Sequence, residues 1–168
     1  MEGRARIFGD DVNTDYIISS ARKRSSIDAS SLAAYLFESI APAFASSVQA
    51  GDILVAGRNF GCGSAMEVAA TVIQAAGIRA VLAKSFSRSF YRNAINNGLL
   101  VVECDTSSVT EGDELVITLT ANAAEVRDVT CGIQLRGAPL PAIMLRILDA
   151  GGLVGFLREH DGWNEPTA

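Results

Sequence analysis

Short apolar runs punctuate this chain, separated by longer segments with helical spacing and by polar turns. Arg4 to Phe8 reads as a first strand, followed by the polar turn Gly9 to Asp15 and the apolar trio Tyr16, Ile17 and Ile18. Ser19 to Ser26 (SSARKRSS) is small, polar and cationic with no buried periodicity, and is expected to be an exposed, mobile loop. A helix is predicted from about Ser31 to Ile40, broken before Pro42. Asp52 to Ala56 (DILVA) reads as a short buried strand, and Ala65 to Ala76 as a helix that Gly77 can end. Ala80 to Ala83 is the next strand, Phe86 to Asn96 a helix closed by Gly98, and Leu99 to Glu103 another strand. That order predicts parallel pairs joined by right-handed crossovers. From Asp113 the pattern changes, and ELVITLT, EVRDV and GIQLRG predict antiparallel strands. Further helices are predicted from about Pro141 to Leu148 and near Leu153 to Glu159. The fold class is α/β, with a mixed parallel and antiparallel sheet and flanking helices.

The turn between the second strand and its helix carries the candidate chemistry. It reads GRNFGCGSAME over residues 57–67. Gly61 and Gly63 let the backbone turn sharply and approach a ligand, and Ser64 with Glu67 three residues on forms a capping-box pattern. The first N–H groups of such a helix lack intrahelical partners and sit at the positive end of its dipole, which suits a carboxylate or phosphate. The same S-x-x-E pattern also describes a helix start with no chemistry. No Gly-Lys-Ser/Thr follows and the spacing is not GxGxxG, which argues against a nucleotide site.

Composition narrows the function classes. A chain of 168 residues, 49% hydrophobic and 20% charged, predicts one globular domain over 1–168, with a tail at approximately 160–168. No apolar run reaches membrane-span length and the N-terminus lacks a signal-peptide core, so the cytoplasm is the expected location. Net charge is −5, and the basic residues are scattered apart from Arg22, Lys23 and Arg24. No nucleic-acid or membrane partner is expected. Cys62, Cys104 and Cys131 have no metal-ligand spacing, so no metal site is expected. Cys104 and Cys131 read as core thiols, whereas Cys62, near a helix start, would be stabilised as a thiolate. The single His160 lies near the tail and offers Cys62 no adjacent base.

Three ordered segments then carry a resemblance over nearly the whole chain: GDDVNTDYII, GDILVAGRNFGCGS and SFSRSFYRNAINNGLL. Together they resemble the 3-isopropylmalate dehydratase small-subunit family of the aconitase superfamily. The resemblance implies the swivelling β/β/α domain found at the aconitase C-terminus. It implies a hydro-lyase subunit that works only with a large subunit, on which a [4Fe–4S] cluster sits, with no cofactor bound by this chain. Ser64 falls on the family's serine base, which takes a proton from the carbon beside a carboxylate, and Asp15 on an active-site aspartate. The substrate would be a small carboxylic acid, touched by Gly61, Cys62, Gly63, Ala65 and Met66. A serine hydroxyl is a poor base in water, so such a site must favour the alkoxide with preorganised donors and little water. From the residues alone, Asp15 reads equally as an Asx-turn or cap.

The chain departs from the family pattern at Ala65, Met66 and Val68. Met66 replaces an arginine that grips a substrate carboxylate, which a thioether cannot do. Met66 packing against an apolar substrate group, Arg22 or Arg24 reaching in from SSARKRSS, and loss of catalysis are the competing explanations. Arg24 is similar in placement to a homoaconitase-type arginine. Citraconate, maleate, dimethylmalate and homoaconitate are therefore alternative substrates. A non-catalytic partner chain and a stand-alone carboxylate-binding domain are the alternatives from other classes. Arg88 and Arg92, four apart on one helix face, are candidates for the subunit interface.

Overall fold

The computed structural model describes residues 1–26, 28–120 and 122–159; the tail at 160–168, with His160, lies outside the described residues. Seven strands form one mixed sheet in the order β4-β3-β2-β1-β5-β6-β7. They are β1 (Glu2–Ile7), β2 (Ile53–Ala56), β3 (Ala80–Ala83), β4 (Leu100–Glu103), β5 (Glu114–Leu119), β6 (Ala124–Asp128) and β7 (Ile133–Gly137). β1 joins the two halves. Its residues Ala5 to Ile7 pair in parallel with β2, and Glu2 to Arg4 pair antiparallel with β5.

The two halves differ as their sequences do. Every residue of β2 and β3 is buried, as expected of parallel strands covered on both faces. In β6, Ala124, Val126 and Asp128 point inward while Glu125 and Arg127 face out. The outer edges approach each other: the Ala138 N–H beyond β7 donates to the Glu103 carbonyl of β4 at 3.2 Å. Gly137 makes this approach possible, because a Cβ there would lie 2.9 Å from the Glu103 carbonyl oxygen.

Helices cover the parallel half. α5 (Glu67–Ala75) follows β2, and α6 (Arg88–Asn96) follows β3; α7 (Ala142–Asp149) and α8 (Leu153–Glu159) pack against α6. Gly77 at φ +95° and Gly98 at φ +78° end α5 and α6, where only glycine is unstrained. The β1–β2 connection holds α1 (Thr14–Ile17), α2 (Ser20–Ser25), α3 (Ala29–Leu32), a 3₁₀ turn (Ala33–Tyr35) and α4 (Phe44–Ser47).

Two expectations for this connection need correction. Ser19 to Ser26 has no fully buried residue but is helical over Ser20–Ser25, because Ser19 caps α2 from outside it. The helix expected from Ser31 to Ile40 stops early, because Phe37 adopts φ +58°. That turn stacks the Phe37 ring on Phe8 at 4.1 Å and sets it edge-on to Phe44, so tertiary burial of an aromatic overrides helical continuation.

Candidate functional site

The three motif segments meet at the glycine-rich turn after β2. On one side, the Asn13 amide caps α1 by accepting the Asp15 N–H at 2.9 Å, and it packs on the Cα of Gly63. Thr14, fully buried, donates its hydroxyl to the Ser64 carbonyl at 2.9 Å and its N–H to the Cys62 carbonyl at 2.8 Å. On the other side, Ser87 caps α6 and donates its hydroxyl to the Gly61 carbonyl at 2.6 Å, while the Phe90 ring fills the space beneath Gly61. Gly61 and Gly63 have φ of +75° and +92°.

This clamp makes Gly61 intolerant. Gly61→Ala combines a left-handed backbone, costing about 1–2 kcal/mol, with displacement of Phe90, costing about 1–3 kcal/mol. We expect thermal unfolding to fall by roughly 5–15 °C in calorimetry. An unchanged midpoint would contradict the packing described.

Ser64 is not the helix cap. The helix starts two residues later than expected, at Glu67, with Met66 in the cap position and no side-chain cap bond. The capping box is therefore absent. Thr14 and Gly63 hold the chain around Ser64 out of helical geometry. Ser64 is exposed, and its hydroxyl has no hydrogen-bond partner among the described residues. A nucleophilic oxygen thus stands between a left-handed glycine and an uncapped helix start, whose first N–H groups provide positive potential.

Asp15 lies half-buried in α1, and its Oδ1 accepts both the N–H (3.2 Å) and the hydroxyl (2.7 Å) of Ser20. One oxygen therefore tethers the start of α2, and the other is engaged by no described residue. Asn13 and Thr14 were missed as site residues by sequence reasoning. The signal was present as a polar Asn-Thr pair before an apolar trio, but burial of Thr14 only follows from the fold.

Residues 35–107 match the family model of the aconitase C-terminal domain. Across the whole chain, a 3-isopropylmalate dehydratase small subunit from Archaeoglobus fulgidus is 44% identical over 160 residues, covering 95% of this chain and 96% of its own length. The chain belongs to the 3-isopropylmalate dehydratase small-subunit family. An isopropylmalate/citramalate isomerase small subunit from Methanocaldococcus jannaschii is 43% identical over 161 residues, covering 95% of this chain and 94% of its own. The solved structure of a 3-isopropylmalate dehydratase from the same organism superposes with a TM-score of 0.89 at 41% identity, covering 95% and 94% of the two chains. The aconitase-type domain expected from the sequence is thereby shown.

Against the family pattern, the structure revises several assignments. Met66 is 4% exposed and belongs to the hydrophobic core, so its side chain packs inward. Arg22 is also occupied: its guanidinium makes two 2.9 Å hydrogen bonds to Glu38 and lies 3.7 Å from the centre of the Tyr35 ring. The Arg22 hydrogen bonds hold the Glu38 carboxyl below its ordinary pKa of 4.5, so this pair is intact at neutral pH and lost only as pH falls through that lowered value. Arg24 differs. It is exposed and lies four residues after Ser20, on the face of α2 that Asp15 tethers. Ala65 is exposed beside Ser64.

The cysteines also depart from expectation. Cys62 is half-buried, and burial followed by the charge of Asp11 raises its thiol pKa, the opposite of the stabilised thiolate expected. Its backbone does the work, bridging to Asn13. Cys104 is buried, as expected, and burial pushes its pKa up to about 11. Cys131 is exposed in the β6–β7 turn and is not a core thiol. It lies six residues before Gly137, which packs against β4, so roughly 20 Å of strand separates it from Cys104. That spacing does not fit a shared iron–sulfur ligand set within this chain.

Arg88 and Arg92 are exposed on α6. They border a groove of about 560 Å³ floored by Phe86, Ile143, Met144 and Ile147. No helix among the described residues is long and apolar enough to cross a membrane.

Proposed function

We propose that this chain is the small subunit of a two-chain hydro-lyase of the 3-isopropylmalate dehydratase type, removing and adding water on a hydroxy di- or tricarboxylic acid. The observation that carries the reading is the Ser64 hydroxyl: exposed, unengaged, and held by Thr14 and Gly63 at an uncapped helix start, in a chain that aligns over 96% of a relative of this family. In dehydration Ser64 takes the proton from the carbon beside a substrate carboxylate. The hydroxyl on the neighbouring carbon departs with a proton managed by Asp15, leaving as water; rehydration reverses both transfers. The N–H groups at the start of α5 stabilise negative charge on Ser64 and the substrate. On this reading a large subunit supplies the rest of the active site and carries the [4Fe–4S] cluster, which the separation of Cys104 from Cys131 in this chain supports.

Arg24, exposed and in no ion pair among the described residues, is the candidate to replace the carboxylate grip lost at Met66. Arg22 cannot do so without breaking its Glu38 pair. The name of the M. jannaschii relative, which includes citramalate, favours a second reading in which the substrate is a smaller diacid.

The test is turnover of 3-isopropylmalate, with citraconate hydration in parallel, by the chain assembled anaerobically with its cluster-bearing large subunit. Turnover of 3-isopropylmalate supports the first reading, and turnover of citraconate alone supports the second. No turnover of either by a correctly assembled complex overturns both. In the active complex, Arg24→Ala is expected to raise KM by about tenfold or more with a smaller change in kcat, as loss of a charge-assisted carboxylate contact predicts. An unchanged KM would remove Arg24 from the substrate.

A further inference from the structure

The antiparallel half carries a polar corner that this chemistry does not use. Asp113 immediately precedes β5, Asp128 ends β6, and Cys131 lies in the turn to β7. One ligand atom from each, a carboxylate oxygen from both aspartates and the Cys131 sulfur, lies within 4.8 Å of the other two. Both aspartates are buried, at 5% and 1% exposure, and none of the ion pairs among the described residues involves either one. Two buried carboxylates side by side repel and lose hydration, so the corner needs a compensating proton or cation.

The hydrogen bonds show where a cation would be held. Asp113 Oδ2 accepts the Thr110 N–H at 2.7 Å and the Thr110 hydroxyl at 2.9 Å, which fixes that carboxylate. Asp128 Oδ1 accepts the Cys131 N–H at 3.0 Å, which draws the turn and its thiol toward the carboxylates. Asp128 Oδ2 is fully buried and receives no hydrogen bond from outside the cluster, so only the Asp113 carboxyl and the Cys131 thiol engage its side chain there. A buried carboxylate oxygen faced only by a second carboxyl and a thiol is a ligand set, held together by a shared proton or by a cation. The Glu114 N–H to Thr130 hydroxyl bond (2.9 Å) and the Val129 N–H to Glu114 carbonyl bond (2.8 Å) hold the turn against the start of β5.

We propose that Asp113, Asp128 and Cys131 form a site for one thiophilic divalent cation of the zinc or cadmium class, with water as the fourth ligand. Carboxylate oxygen and thiolate sulfur are both ligands of such ions, at bond lengths of about 2.0–2.3 Å, and a tetrahedral arrangement places ligand atoms about 3.5 Å apart. Calcium or magnesium would prefer more oxygen ligands and no sulfur. The ion would tie β5 to the β6–β7 turn and act as a structural clasp away from Ser64.

Titration of the full reduced chain with cadmium, read by the ultraviolet thiolate-to-cadmium absorption band and by calorimetry, tests this. The expected result is one ion per chain with the band present. Cys131→Ser, at an exposed position that leaves folding intact, is expected to abolish the band and weaken binding by roughly 100-fold or more. Asp128→Asn should weaken binding comparably. Zinc should raise the thermal midpoint of the parent and not of Cys131→Ser. Absence of binding, or binding and a band unchanged in Cys131→Ser, would overturn the site and leave the two carboxylates compensated by a proton.

Discussion

Ser64→Ala in the assembled enzyme is expected to lower kcat by about 10³-fold or more, within the range for loss of a general base, with little change in KM. Folding stability should stay within about 0.5 kcal/mol of the parent, because the hydroxyl is exposed and bonds to no described residue. A capping serine would behave in the reverse way, losing about 1 kcal/mol of stability while sparing turnover. Steady-state kinetics beside a denaturation curve therefore separates the two roles. Turnover above about a tenth of the parent's would remove Ser64 as the base, since even modest general-base effects exceed that factor.

The second large effect concerns stability. Asp52 is 3% exposed, and its Oδ2 accepts from Arg6 Nη1 at 2.9 Å and from the Gln49 N–H at 3.0 Å, with Arg4 Nη2 at 3.6 Å. Arg6 is itself buried, and it is also bonded to Glu111 and Ser47 and stacked over Phe44. Asp52→Ala removes one of the two carboxylates paired with that guanidinium and leaves Glu111 as the other, beside a cavity, and breaking a buried pair costs up to about 3–5 kcal/mol. We expect a fall in thermal midpoint of about 10 °C, read by calorimetry. The double variant Arg6→Met with Asp52→Leu should recover most of the loss, because the pair's own net worth is small once neither charge is stranded. A double variant no more stable than Asp52→Ala would show that Arg6 holds β1 through Glu111 and Ser47 instead.

Much of the architecture was legible because local rules and tertiary packing agreed. β3 and α8 fall on the predicted residues, and the other strands shift by one or two. Continuous burial of ILVA and AVLA follows from an apolar run too short for a helix. The site was legible through GDDVNTD, GRNFGCGS and SFSRSFY as three separate motifs. Nothing in linear spacing says that Thr14 and Ser87 grip opposite sides of one turn, since those bonds join residues 50 and 26 positions apart.

The failures share one cause. Ser64 with Glu67 satisfies the local capping pattern, yet a hydrogen bond from Thr14 and the backbone of Gly63 delay the helix to Glu67. Polar SSARKRSS lacks a buried face, yet Ser19 and Asp15 organise it from outside. Met66 and Arg22 were candidates by residue type for contact with a substrate, and the fold sets one in the core and the other against Glu38 and Tyr35. The corner of Asp113, Asp128 and Cys131 has no motif spacing at all.

Local sequence pattern was enough for the seven strands, the helices α5 to α8, the family and the chemical types at the turn, because periodicity, glycine placement and residue identity act over a few neighbouring positions. Tertiary packing set which of those residues are exposed and which are engaged: Ser64, Ala65 and Arg24 outward, Met66 in the core and Arg22 on Glu38. Burial and pairing depend on partners brought from distant segments, and no local pattern encodes them.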